Sequence, residues 1–258
     1  MQGSSAGGWI TSLNSLENPK ARILCLPYEG GTADYFNSWL PYLRSGVELL
    51  AVELPGHGRR SPEAPCSDME TVVRHVVEAS FEHLHDKPLL IFGHSLGALL
   101  AYETTVAFAK AELPMPRRLI ISGCQAPSDT KTYSPRMAHL DDQDFFEDLV
   151  NEDCLSERVL KEPEAIAMEL ESIRADYEMK ESYSYRTQAL LNIPVEVFAG
   201  SRDCIPLGNL LDWQYVCRQP VHVCVFKGGH FFIEDDKATM LSHMNEVFDE
   251  VIVSGAYA

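Results

Sequence analysis

Pro88-Leu89-Leu90-Ile91-Phe92-Gly93-His94-Ser95-Leu96-Gly97-Ala98-Leu99-Leu100-Ala101-Tyr102 is the stretch that decides the reading of this chain. An apolar run of strand length is followed by Gly-x-Ser-x-Gly and then by helix-forming residues. A strand, a sharp turn and a helix are the setting in which a serine is held at a strained junction with its hydroxyl presented outward. Glycine at 93 and 97 lets the strand and helix backbones pass close together, because neither carries a Cβ. The N–H of Leu96, at the start of the helix, points where developing negative charge would be received.

Composition sets the frame around that turn. A chain of 258 residues with 45% hydrophobic content can bury one large core. Its 21 Lys and Arg against 38 Asp and Glu give a net charge of −17. That balance argues against nucleic acid and against anionic membrane surfaces, both of which call for basic patches. No apolar stretch reaches the length of a membrane span. Met1-Gln2-Gly3-Ser4-Ser5-Ala6-Gly7-Gly8 has neither the basic nor the apolar part of a secretory signal, so residues 1–20 read as a flexible leader before a domain over 21–258. Seven scattered cysteines without a C-x-x-C fit a reduced cytoplasmic protein, with no disulfide framework and no metal site.

Short apolar runs recur at Ala21–Leu26, Val47–Leu54, Pro88–Phe92, Arg118–Ser122, Val195–Ala199 and Val221–Phe226. They are nearly continuous rather than alternating, as strands of a parallel sheet covered on both faces should be. Ser67-Asp68-Met69-Glu70 has the spacing of a capping box, and Val72, Val73, Val76, Val77, Phe81 and Leu84 follow at helical intervals. Met240, Leu241, Met244, Val247, Phe248 and Val251 repeat that pattern near the end. The alternation predicts an α/β fold with a mostly parallel, doubly wound sheet and functional loops at the strands' C-terminal edge. Between about 127 and 191 the alternation stops. Only helical patterns remain there: Phe145, Phe146, Leu149 and Val150 in one, then Pro163 with Ile166, Leu170, Ile173 and Tyr177 in the other. This helical insertion is expected to act as a lid over the serine's edge of the sheet.

A serine nucleophile needs a base, and the base needs an orienting acid. In α/β-hydrolase order the acid and then the histidine follow the serine. His75, His83, His85 and His243 lie in helical patterns and read as surface residues; His57 precedes the serine and reads as shaping a loop. His94 adjoins Ser95 in a turn where neighbours point apart. His230 follows the last strand-like run and Gly228-Gly229, where a flexible loop can carry an imidazole over the serine. Two acids compete. Asp203 sits in the turn Gly200-Ser201-Arg202-Asp203 directly off a strand and is favoured; Asp129 opens the irregular insertion. A second oxyanion donor is expected from the loop Pro27-Tyr28-Glu29-Gly30-Gly31.

Taken together, Leu26-Pro27-Tyr28-Glu29-Gly30-Gly31, Glu53-Leu54-Pro55-Gly56-His57-Gly58-Arg59, Gly93-His94-Ser95-Leu96-Gly97-Ala98, Arg174-Ala175-Asp176-Tyr177-Glu178 and Gly228-Gly229-His230-Phe231-Phe232 resemble the type II (editing) thioesterases of non-ribosomal peptide and polyketide synthases. The related medium-chain thioesterases of animal fatty acid synthesis share the pattern. The likeness runs from about Arg22 to Val251 and implies an α/β-hydrolase fold. It implies hydrolysis of acyl thioesters from the phosphopantetheine arm of acyl or peptidyl carrier proteins, through an acyl-Ser95 intermediate. It places the acid at Asp203 and the oxyanion donors at the backbone N–H groups of Glu29 and Leu96. No cofactor is implied, since phosphopantetheine belongs to the substrate.

Glu29 departs from the family's usual small residue. A carboxylate there would oppose an oxyanion, so its side chain is expected to point to solvent. Carrier proteins of such systems are commonly acidic, and a chain at −17 is expected to dock through apolar lid contacts and local cations, with Arg59, Arg60 and Arg136 as candidates. A monomer in the cytoplasm is expected. The rival readings are a carboxylesterase or acyltransferase acting on free small molecules with the same triad, and a catalytically silent binding module.

Overall fold

In the computed structural model, which describes residues 8–83, 86–128, 137–151 and 163–255, all six apolar runs are strands of one sheet. They are β2 (Ala21–Leu26), β3 (Val47–Val52), β4 (Leu89–His94), β5 (Arg118–Ser122), β6 (Val195–Gly200) and β7 (His222–Phe226). A further strand, β1 (Ile10–Ser12), precedes them, and the order across the sheet is β1-β3-β2-β4-β5-β6-β7. Leu24 of β2 pairs with Leu50 on one side and Ile91 on the other, in parallel register. Every residue of β3 and β4 is buried, which is why these strands read as continuous rather than alternating apolar runs.

Successive β4 residues divide between two cores. Ile91 packs with Val72, Val76, Leu99 and Tyr102 of helices α1 (Met69–Ser80) and α2 (Leu96–Lys110). Leu90 and Phe92 pack on the opposite face with Phe36 and Trp39, and with Met240, Met244 and Phe248 of the last long helix, Lys237–Gly255. At α1 the cap is Asp68 rather than Ser67: its carboxylate accepts the Thr71 N–H at 2.9 Å. The helix ends at Ser80, so Phe81 lies past its apolar stripe and is half exposed.

The leader over 1–20 needs correction from residue 9 onward. Trp9 is buried, stacks on His75 with ring centroids 5.0 Å apart, and carries the Arg60 guanidinium 4.1 Å above its ring. Ile10–Ser12 then pairs antiparallel with β3, Ile10 opposite Val52. Asn14 continues the attachment, donating to Val47 O at 3.0 Å and accepting the Leu49 N–H at 2.7 Å. Three strand residues are too few to give a periodic signal. Residues 1–7 lie outside the described residues.

Among the described residues, the stretch after β5 holds two long helices, α3 (Asp142–Asn151) and α4 (Pro163–Ser182), and no named strand before β6. Phe145, Leu149, Ile173 and Tyr177 form a small core of their own with Met137 and Ala138. Arg174 pins it, donating to the carbonyls of Ala138 and Leu140 at 2.6 and 2.7 Å with its guanidinium 4.3 Å over the Phe145 ring. Asp129 and Arg136 fall outside the described residues. No helix among those described is long and apolar enough to cross a membrane.

Candidate active site

Ser95 occupies the one-residue junction between β4 and α2 with φ 53° and ψ −117°, a conformation that costs a non-glycine residue on the order of 1–3 kcal/mol. Packing enforces it. A Cβ on Gly93 would lie 1.9 Å from the Gly97 carbonyl oxygen, and one on Gly97 would lie 2.3 Å from the Leu26 carbonyl oxygen. The two glycines let the turn close against itself and against the end of β2. The Ser95 N–H donates to Ser122 O at 2.9 Å, which fixes the turn to β5 as well.

Asp203 and His230 come together from two neighbouring strands. Asp203 follows β6 in a turn closed by its N–H to Gly200 O at 3.2 Å. His230 follows β7, and its Nδ1 lies 3.1 Å from Oδ2 and 3.3 Å from Oδ1 of Asp203. Burial alone would raise the Asp203 carboxyl. The hydrogen bond and charge of His230 and the Ile205 N–H outweigh it and hold the acid below its usual value. The carboxylate therefore stays ionised, fixing the imidazole through Nδ1 and leaving Nε2 for chemistry.

His94 supports this pair without competing with it. Its ring is buried, with its centroid 4.9 Å from that of His230, and its Nδ1 lies 2.9 Å from Ser122 Oγ. Burial, followed by the charge of His230, pushes its pKa well below the ordinary histidine value, so the ring is neutral.

The expected oxyanion donors surround an occupant of the chain's own making. The Glu29 side chain is only 7% exposed, and its Oε2 accepts the Leu96 N–H at 3.3 Å. Its own backbone N–H also stabilises the carboxylate. Oε1 is 2.5 Å from Lys180 Nζ, and that ammonium donates to Ser95 Oγ at 3.2 Å. The expectation that Glu29 points to solvent is thus overturned. Burial would raise its pKa, but the charge and hydrogen bond of Lys180 outweigh burial and lower it, so the group is a carboxylate. A half-buried cation on α4 supplies what solvent was expected to supply. Among the described residues, Ser95 Oγ takes its hydrogen bond from Lys180 rather than from His230.

Lys180 escaped the sequence reading, although a signal existed. It stands seven residues after Ile173 and three after Tyr177, on the apolar stripe of α4, where a lysine has to find a buried partner. Asp176 on the same helix has a role that its motif alone does not reveal. Its Oδ2 accepts the Gly30 N–H at 2.8 Å and lies 2.9 Å from His57 Nε2, so it joins α4 to the Glu29–Gly30 loop and to the loop after β3. His57 does shape a loop, through its contact with the Pro55 carbonyl at 3.0 Å, and it also anchors the insertion.

Of the cations proposed for docking, Arg59 pairs with Asp34 at 3.0 Å on the surface. Arg60 is buried between Trp9 and Glu63 and is withdrawn from that role, because its guanidinium is spent on packing and on a pair at 2.7 Å. Among the described residues, Glu196, Cys224 and His243 place potential ligand atoms within 4.8 Å of one another. Glu196 already faces Arg118 at 3.6 Å, and Cys224 Sγ lies 3.3 Å from His243 Nε2.

Residues 21–248 match the family model of the thioesterase domain. Thioesterase PikA5 of Streptomyces venezuelae is 33% identical over 251 residues, spanning 96% of this chain and 87% of its own. The gramicidin S biosynthesis protein GrsT of Aneurinibacillus migulanus is 28% identical over 242 residues, covering 93% of this chain and 94% of its own. Among solved structures, the type II thioesterase BorB from the borrelidin biosynthetic cluster superposes with a TM-score of 0.85 at 28% identity, over 92% of this chain and 96% of that one. ClbQ from the colibactin NRPS/PKS pathway gives 0.85 at 26% identity, over 91% and 99%.

Proposed function

Since the chain belongs to the thioesterase domain family, we propose that it hydrolyses acyl groups from the phosphopantetheine arm of carrier proteins and so clears aberrant or stalled units from a peptide or polyketide synthase. The observation that carries the reading is the Asp203–His230 pair at 3.1 Å, set at the same sheet edge as a serine held at φ 53°. His230 takes the Ser95 proton as Oγ adds to the thioester carbonyl, while Asp203 stabilises the imidazolium. The backbone N–H groups of Leu96 and Glu29 receive the oxyanion. The thiol departs with the proton from His230, and water activated by the same imidazole cleaves the acyl-Ser95 ester. The chemistry draws on no cofactor.

The helical insertion serves as the wall of the acyl site, because α4 delivers Lys180 to Ser95. The partner is a carrier domain met in the cytoplasm by a monomer of this chain, through apolar contacts on the insertion rather than through long-range attraction. The test is a side-by-side assay of carrier-bound thioesters against oxygen esters of the same acyl group. Preference for the carrier thioester is expected, with Ser95→Ala abolishing the acyl-enzyme. Preference for the free oxygen ester would assign the site to a small-molecule esterase.

A further inference from the structure

We propose that Lys180 is a catalytic residue that stabilises the tetrahedral oxyanion, and that the Glu29 carboxylate is an internal placeholder for that oxyanion which the acyl group displaces. The inference rests on the reading of Ser95 as nucleophile. It goes beyond that reading by assigning two side chains which the triad and the backbone oxyanion donors leave unexplained.

The argument comes from what surrounds the carboxylate. A thioesterase oxyanion requires donors aimed at one point beside the serine. Here the Leu96 N–H at 3.3 Å, the Glu29 N–H and the Lys180 ammonium at 2.5 Å all converge on one carboxylate. A carboxylate and a tetrahedral alkoxide are both anionic oxygen acceptors, so the donors that hold the first are suited to hold the second. Lys180 also touches the reacting atom, at 3.2 Å from Ser95 Oγ. Its side chain is 18% exposed, and it follows the buried Ile173 and Tyr177 at helical spacing on α4.

In the step itself, the Oγ–H bond breaks and its proton passes to His230 Nε2. The Oγ lone pair forms the bond to the acyl carbon, and the carbonyl π pair becomes the oxyanion. Glu29 gives up the Leu96 N–H to that oxygen, and Lys180 turns its donor from carboxylate to oxyanion. Collapse reforms the carbonyl and breaks the C–S bond, and the thiolate takes the proton back from His230. Deacylation by water repeats the sequence with the same donors.

A double-mutant cycle tests it, with the full chain and a carrier-bound acyl thioester, reading the pre-steady-state burst of released thiol. Lys180→Met should slow acylation about 10²-fold, as loss of one oxyanion donor does. Glu29→Ala should raise kcat/KM, since no placeholder has to be displaced. Lys180→Met alone leaves the Glu29 carboxylate buried and unpaired, which also destabilises the site, so the decisive comparison is Glu29→Ala/Lys180→Met against Glu29→Ala, in which no such charge remains. A persistent loss of about 10²-fold there supports a catalytic Lys180. Equal acylation rates would show that Lys180 only neutralises Glu29 and would overturn the proposal. A slower burst in Glu29→Ala would overturn the placeholder role. Labelling of Ser95 by a fluorophosphonate in the unaltered chain is read in parallel: its absence would defeat the nucleophile assignment itself, whereas its presence with equal rates in the cycle defeats only Lys180.

Discussion

His57 Nε2 lies 2.9 Å from Asp176 Oδ2, with both side chains almost entirely removed from water. Burial would lower the imidazole pKa, but the charge and hydrogen bond of Asp176, the Pro55 carbonyl and Glu53 outweigh it and push the value up to about 9. The native state therefore binds the proton more tightly than the unfolded chain, whose histidine titrates near 6.5. The stabilisation is complete below that pH and is lost as pH rises through 9, with a ceiling of about 3 kcal/mol. Thermal melts should show Tm falling between these pH values, and His57→Gln should flatten that slope while lowering Tm at the acid end. A Tm that rises over the same window would mean that His57 is neutral in the fold.

Asp203→Asn keeps the shape of the side chain but removes the charge that orients His230. The loss in kcat should be on the order of 10⁴, as for triads of this kind. Asp129→Asn should cost little. Because the asparagine has the shape of the buried aspartate and can keep the contact with His230, near-UV circular dichroism of Asp203→Asn should match that of the unaltered chain. Reversal of the two aspartates in the kinetic assay would move the acid to the insertion.

Gly93→Ala is the substitution least compatible with the turn. Its Cβ would lie 1.9 Å from a backbone oxygen of Gly97, which cannot rotate away as a side chain could. The variant should lose soluble yield and cooperative melting, not merely activity. A folded, cooperatively melting Gly93→Ala protein would show that the β4–α2 crossing is looser than this geometry requires.

Trp9 gives the corresponding test for the start of the chain. Its ring packs against both His75 and Arg60, and the residue leads into the strand that closes the β3 edge. Trp9→Ala should cost about 3 kcal/mol or more, the usual range for emptying a buried aromatic site. Urea denaturation would read this as a lower midpoint with little change in slope.

The parts of this molecule that were legible in the sequence are those in which one local pattern dictates one structure. The five buried strands β2 to β6, the helix stripe from Met240 to Val251 and the elbow at Ser95 each follow from residues adjacent in the chain, whereas β7 lies at the sheet edge with Val225 58% exposed and departs from the expected cover on both faces. Residues joined only by the fold were not legible. Glu29 and Lys180 are separated by 151 positions, and nothing near Glu29 announces that a cation on α4 will meet it. β1 is three residues long, below the length at which alternation can be counted, and its partner strand alone defines it. The shift of the α1 cap from Ser67 to Asp68 is a smaller case: both residues are capping types, and the geometry of the Thr71 N–H decides between them.

The net charge of −17 makes the last prediction one of sign. If the partner carrier is acidic, long-range forces between the two proteins repel, and salt screens that repulsion within about 10 Å at 0.1 M. With Arg60 buried and Arg59 already paired to Asp34, these two cations do little to reverse the field. The KM for a carrier-bound thioester should therefore stay level or fall as salt is raised, while that for a free pantetheine thioester of the same acyl group should not respond. Apolar contact with the insertion would account for such a pattern, since hydrophobic association is not weakened by screening. A KM for the carrier substrate that rises steeply with salt would instead require a basic docking patch, and would refute the apolar mode of approach.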